Sequence, residues 1–364
     1  MTIAQTVKYI EDLAPLAYQE SYDNAGLCVG NPAEEVAGVL LCVDVSEEVV
    51  GEAVARGCNL IISHHPVIFG GLKRITGQTA TQRIVQQALT HNIALYAAHT
   101  NVDKIRGGVS EKMCEKLQLT HLQILDPQQD SLYKVVTYVP LAHAPKVRQA
   151  LWDAGAGNAG NYRQCSFAAK GEGTFCAQPA AQPFVGKAGE LHHEPETRIE
   201  VMVPQHCLQN VVNQLVASHP YEEPAYDLLP LKNLNPAVGL GMVGTLPQTM
   251  DKQQFLQHLR QIFGTPVLRY NANSSADFIT KVAVCGGSGA SLVAPAAHCA
   301  DAFISADLKY HDLQNTPPHL LTVDVGHYES EKFVLEFFYD IFIKKNTTFA
   351  VLVSDYGKNA VGYL

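Results

Sequence analysis

Histidines 64 and 65 stand side by side at the end of an apolar run, Asn59-Leu60-Ile61-Ile62-Ser63, and Pro66 follows them. Proline removes one backbone donor and pushes the residue before it into extended geometry. Neighbouring extended residues point to opposite sides, so each imidazole can serve a different metal ion. A second group, His99 to Asp103 in Tyr96-Ala97-Ala98-His99-Thr100-Asn101-Val102-Asp103, also follows an apolar strand and adds the hard oxygen ligand that imidazoles lack. The third is Val325-Gly326-His327-Tyr328-Glu329-Ser330-Glu331. Helical periodicity in the run beyond it puts His327 and Glu331, at i and i+4, on one face of a first turn and rotates Glu329 toward solvent. Together, His64, His65, Asp103, His327 and Glu331 suit two borderline divalent ions, Zn, Mn, Fe, Co or Ni. In such a site Glu331 is the expected bridge, a bridging hydroxide the expected nucleophile, and His99 the nearest group able to move a proton.

Taken singly, each group also fits a plainer role. The histidine pair can be a polar turn, Asp103 a helix cap, and the acids after Gly326 ordinary company for a helix dipole. The chain supplies its own contrast in His192-His193, which has charge on both sides and no apolar strand before it, and reads as a solvated loop. What joins the other three groups is position: all follow apolar runs that read as strands.

Those runs define the elements. Residues 2–17 read as an amphipathic helix, and 38–44, 59–63 and 93–98 as buried strands separated by the helices SEEVVGEAVARG and TATQRIVQQALTHN. Toward the other end, DKQQFLQHLRQIFG reads as a helix, 281–285 as a strand, SLVAPAAHCA as a helix, and 302–305 and 319–324 as strands. The order repeats, and Leu60-Ile61-Ile62-Ser63-His64-His65 lines up with Ala302-Phe303-Ile304-Ser305-Ala306-Asp307. We expect an α/β fold of two quasi-repeated halves, 1–127 and 234–364, sharing a crevice at their strand ends. Between them, 128–233 reads β-α-β-β-α-β, the order of a ferredoxin-like α+β insert, with a long loop around AQPAAQPFVGKAGELHHEPE.

Composition narrows the function classes. Of 364 residues 47% are hydrophobic and 17% charged, enough for a large core. A net charge of −9 without basic runs gives nucleic acid little to bind. Nine cysteines, odd in number and without a CxxC pair, fit buried thiols in a reducing compartment. The first twenty residues lack the pattern of a signal peptide, and no apolar run suits a membrane span, so a cytoplasmic protein is expected. Cys285-Gly286-Gly287-Ser288-Gly289 could hold an anion on its backbone donors, although tight packing explains the glycines equally well. Lys309, His311 and Asn24 are the candidates for contact with a small-molecule substrate. There is no Gly-x-Ser-x-Gly elbow to support a serine hydrolase.

SYDNAGLCVG, LIISHHPVIFGGLKRIT, YAAHTNVD, KVAVCGGSGAS, DAFISADLKYHD and VDVGHYESE, in that order, resemble the dinuclear-metal proteins called GTP cyclohydrolase 1 type 2 homologues, the Nif-three-like family. His219-Pro220-Tyr221-Glu222-Glu223-Pro224 in the insert is similar to the PII/CutA-like domain of that family's longer members. The resemblance implies metal ligation by His64, His65, Asp103, His327 and Glu331 in a homohexameric ring of stacked trimers. It implies a metal-dependent hydrolase, with GTP as the family name's substrate. Its alternative is a non-catalytic regulatory assembly whose insert senses a ligand. Trp is frequent before Asp-Asn in that family, and here the residue is Tyr22.

Overall fold

Gly38–Cys42, Leu60–Ser63, Ala94–Ala97, Ala302–Ala306 and Leu321–Asp324 are buried at every position. Strands without a polar face need cover on both sides, which parallel sheets flanked by helices provide. The computed structural model describes residues 1–345 and 348–363, and among them these strands form the middles of two sheets.

The first sheet runs in the order Gly26–Val29, Ala94–Ala97, Leu60–Ser63, Gly38–Cys42, Ala350–Val353. All its pairings are parallel except that of Gly26–Val29. The second runs Arg269–Tyr270, Leu321–Asp324, Ala302–Ala306, Phe278–Ser288, Asn235–Asp251, Thr120–Gln128. Its pairings among Phe278–Ser288, Ala302–Ala306 and Leu321–Asp324 are parallel, while Arg269–Tyr270 and Asn235–Asp251 join antiparallel. The sheets thus share a plan of three parallel strands with an antiparallel strand beside the third, to which the first sheet adds Ala350–Val353 as a fourth parallel strand, and the shared part matches the repeated order in the sequence. Ala350–Val353 is the exception, since four apolar residues carry too little periodicity to be read as a strand beside Gly38–Cys42.

Helix starts follow local chemistry. Thr2, Ser46, Thr79 and Asp251 each accept a backbone N–H of the first turn, at 2.9–3.3 Å. The run after Gly326, expected as one helix, divides into His327–Glu331 and Val334–Lys344. The second of these buries Phe337, Phe338, Ile341 and Phe342 against Ile3, Val7 and Ile10 of the first helix and against Val39 and Leu41.

The chain divides into two compact units, 1–127 with 237–364, and Gln128–Pro236. In the second unit, strands Leu132–Pro140, Phe167–Cys176, Leu191–Pro204 and Tyr226–Leu231 form an antiparallel sheet. Its helices are Ala144–Asp153 and Leu208–Ser218, and its core is built on Val135, Val147, Leu151, Ile199, Val211 and Leu215. Here the sequence reading needs correction: His192 and His193 lie in a strand, not a loop. They pair with Phe175 and Thr174, because charged side chains on an exposed ribbon do not prevent backbone pairing. Among the described residues no helix is long and apolar enough to cross a membrane.

Candidate metal centre

The strand Leu60–Ser63 ends by handing its ladder to the two histidines. The backbone N–H of His64 donates to Cys42 at 3.2 Å and that of His65 to Val43 at 3.0 Å. His64 is fully buried, and its Nδ1 meets the carbonyl of Ala98 at 2.9 Å, leaving Nε2 as the ligand-capable nitrogen. His65 Nδ1 is held by Asp44 at 2.8 Å, so its Nε2 also points inward. Ser63 contributes by donating its hydroxyl to the His65 carbonyl at 2.7 Å.

His327 and Glu331 meet these two from the other sheet. Gly326 opens their turn at φ 94°, a conformation that favours glycine, and a Cβ there would collide with the Glu329 carboxylate. The i,i+4 spacing brings His327 Nε2 to 3.0 Å from Glu331 Oε2, and His65 Nε2 lies 2.9 Å from the same oxygen. The two imidazole nitrogens stand 3.3 Å apart. Glu331 Oε1 faces His64 Nε2 at 3.7 Å, with Asp103 Oδ1 at 3.6 Å from that nitrogen. His99 completes the ring, its imidazole 5.3 Å from that of His64 and 5.4 Å from that of His65.

The five residues expected as ligands therefore converge, with His99 among them. Two subsets place their donor atoms close enough to hold a metal: His64, His65 and His99, and His65, His327 and Glu331. Donors about 2.0–2.1 Å from a tetrahedral zinc stand roughly 3.3 Å apart, so the His65–His327 spacing fits such an ion. His64 Nε2 and Asp103 Oδ1 are buried without a hydrogen-bond partner, at a separation too long for a hydrogen bond and suited to a shared cation.

Carboxylates and imidazoles set one another's charge in this cluster. Burial alone would lower His65, but the carboxylates of Asp44 and Glu331 outweigh it and raise the imidazole to about 10. Glu331 raises His327 to about 9, against burial and with help from Asp307. Burial, chiefly, pushes Asp103 up. Burial would do the same to Glu331, yet the surrounding imidazoles hold it well below the usual carboxylate range.

Glu329 corrects the sequence reading. It is buried rather than solvent-facing, and Asn359 donates to its carboxylate at 2.8 Å. A segment thirty residues later folds over that face of the turn, which helical angle alone cannot reveal. Lys309 and His311 are exposed, His311 turning to Gln314 at 3.1 Å, and Asn24 donates to the carbonyl of Ile68 at 2.6 Å. The Gly286-Gly287 run packs against the site: a Cβ on Gly287, at φ +61°, would lie 2.2 Å from Glu331 Oε1. Sequence reasoning missed three aspartates that hold ligand-capable histidines: Asp44 on His65, Asp23 on His99 at 2.8 Å and Asp307 on His327 at 2.7 Å. Two of them follow strands directly, as do the histidines, and that shared position was the available signal.

The Duf34/NIF3 (NGG1p interacting factor 3) family matches residues 1–360. The chain belongs to the Duf34/NIF3 family. Among its relatives is a Halalkalibacterium halodurans protein named GTP cyclohydrolase 1 type 2 homolog, 39% identical over 88% of this chain and 87% of that one. A Bacillus subtilis protein of the same name is 37% identical over 91% and 89%. Of solved structures, a Bacillus cereus protein related to NIF3 superposes with TM-score 0.85 at 34% identity, covering 100% of this chain and 99% of that one. The Duf34/NIF3 assignment thus spans both sheets and the segment between them.

Proposed function

We propose that this Duf34/NIF3 chain binds two divalent metal ions and hydrolyses a small molecule. The observation that carries the proposal is the convergence of His64, His65, His327 and Glu331 from two sheets, with His64 Nε2 and Asp103 Oδ1 buried and otherwise partnerless. His64 and Asp103 would hold one ion, His65 and His327 the other, and Glu331, with one oxygen toward each side, both. Such a pair supplies Lewis acidity and a water acidified toward neutral pH. His99, fixed through Nδ1 by Asp23, presents its other ring nitrogen to the same space and is placed to accept or deliver a proton there. The names of the relatives make GTP one substrate to test.

Metal analysis of the wild type and His65→Ala, with a hydrolysis screen over nucleotides, phosphodiesters and cyclic amides, tests the reading. Two ions per wild-type chain, lost in the variant, with turnover on one substrate class, are expected. Protein that stays metal-free in Zn or Mn would sink it. For His99→Ala we expect metal content to hold and turnover to fall by ~10²–10⁴-fold; lost metal would make His99 a ligand instead. We further propose a homohexamer, which light scattering checks, and a ferredoxin-like, PII/CutA-like insert at 128–233, both implied by the family resemblance. A second reading, a regulatory metal-binding assembly, is favoured by the cavity in that insert.

A further inference from the structure

The unit Gln128–Pro236 carries an open cavity of about 890 Å³, within the range of small-molecule sites. On its wall lies Glu196, 7% exposed, whose Oε1 accepts the hydroxyl of Tyr221 at 2.8 Å. No lysine, arginine or histidine among the described residues comes within 4.0 Å of that carboxylate, so one neutral donor is its only polar partner there. The neighbouring strand is shaped around the carboxylate: Gly173 passes so close that a Cβ would lie 2.2 Å from Glu196 Oε2.

Around the carboxylate stand aromatic rings. Phe175 and Phe184 flank Tyr221, with centroids 6.0 and 6.4 Å away, and all three line the cavity. Faces of such rings attract cations. The charged lining has the same sense: Glu172, Glu196, Glu222 and Glu223 against Lys170 and Arg198, with Glu172 already paired to His193 and Arg198 to Glu200, each at 2.9 Å. A bare metal ion is a poor occupant, because hard cations take six or more oxygens and Glu196 is the one buried carboxylate of the wall. The volume and the rings fit an organic cation.

We infer that this cavity is a binding site for an organic cation, an alkylammonium or guanidinium group whose charge meets Glu196 while its apolar part packs on Phe175, Phe184 and Tyr221. The inference is independent of what metals do at the other site. Its test is calorimetric titration of the full chain with choline, tetramethylammonium and agmatine, beside dimethylbutanol, the uncharged counterpart of choline. At least one cation should bind with a Kd below ~1 mM, and dimethylbutanol should bind at least ~10-fold more weakly than choline or not at all. The tighter of choline and agmatine identifies the ammonium or the guanidinium source. Glu196→Gln should weaken the bound cation by about 10-fold or more, and Phe184→Ala by several-fold, with metal content unchanged in both. Phe184 is 52% exposed, so its variant remains informative if Glu196→Gln does not fold. Dimethylbutanol binding as tightly as choline, undiminished cation affinity in Phe184→Ala, or no cation bound at about 10 mM overturns the inference.

Discussion

Asp44, Asp23 and Asp307 each take the Nδ1 side of one imidazole, fixing which nitrogen faces the centre. Carboxylates in that position orient a ligand and raise its basicity, and their loss typically costs ~10–100-fold in metal affinity. Asp44→Asn should show a loss of that size in titrations against a competing chelator, while the fold persists; unchanged affinity would leave Asp44 a bystander. Gly287→Ala is a harsher change, since the added methyl must displace Glu331 and adopt φ +61°. We expect it to lose metal and to melt below the wild type in the metal-free state. The ligand-capable residues were legible because each lies in a short motif of unusual side chains. The aspartates were not, because Asp44 and Asp307 act on histidines 21 and 20 residues away, and aspartate after a strand is commonplace.

Strands that are buried throughout announce themselves, which is why Gly38–Cys42, Leu60–Ser63 and Leu321–Asp324 were readable as apolar runs. The ribbon carrying His192 and His193 was not, since its pairing to Phe167–Cys176 rests on backbone bonds beneath polar side chains. In helix Val334–Lys344, Phe338 is fully buried between the first helix and its sheet. Phe338→Ala should cost about 3–5 kcal/mol in denaturant unfolding. The end of helix Leu208–Ser218 suggests a pH effect. His219 donates through Nε2 to the Tyr138 carbonyl at 3.0 Å and accepts the Tyr221 N–H on Nδ1 at 3.0 Å, so the ring is neutral. Burial lowers its pKa, with His143 adding to the effect and the bond to Tyr138 opposing it. The unfolded chain then takes up the proton first, so stability falls as pH drops below ~6.5. Trp152, the single tryptophan, reports unfolding of this unit, and His219→Gln should flatten the profile.

All six residues of the candidate metal centre belong to the unit formed by 1–127 and 237–364. The chain leaves that unit along Thr120–Gln128 and returns along its sheet neighbour, Asn235–Asp251. Gly239 lies so near Asp126 and Pro127 that a short turn can join the two strands. Excising 128–236 and closing the gap should therefore leave metal content intact; a folded product without metal would show that the excised unit shapes the centre. The matched halves, and a crevice shared at their strand ends, were visible in the repeated order of elements, whereas the distances within that crevice were not. His65 and His327, 3.3 Å apart in space, are 262 residues apart in the chain. A ribosome must therefore deliver nearly the whole polypeptide before the two nitrogens can meet, and 128–236 has its own core to fold around in the interval. A chain stalled before residue 327 carries His64, His65 and His99 without the half of the candidate centre that His327 and Glu331 supply.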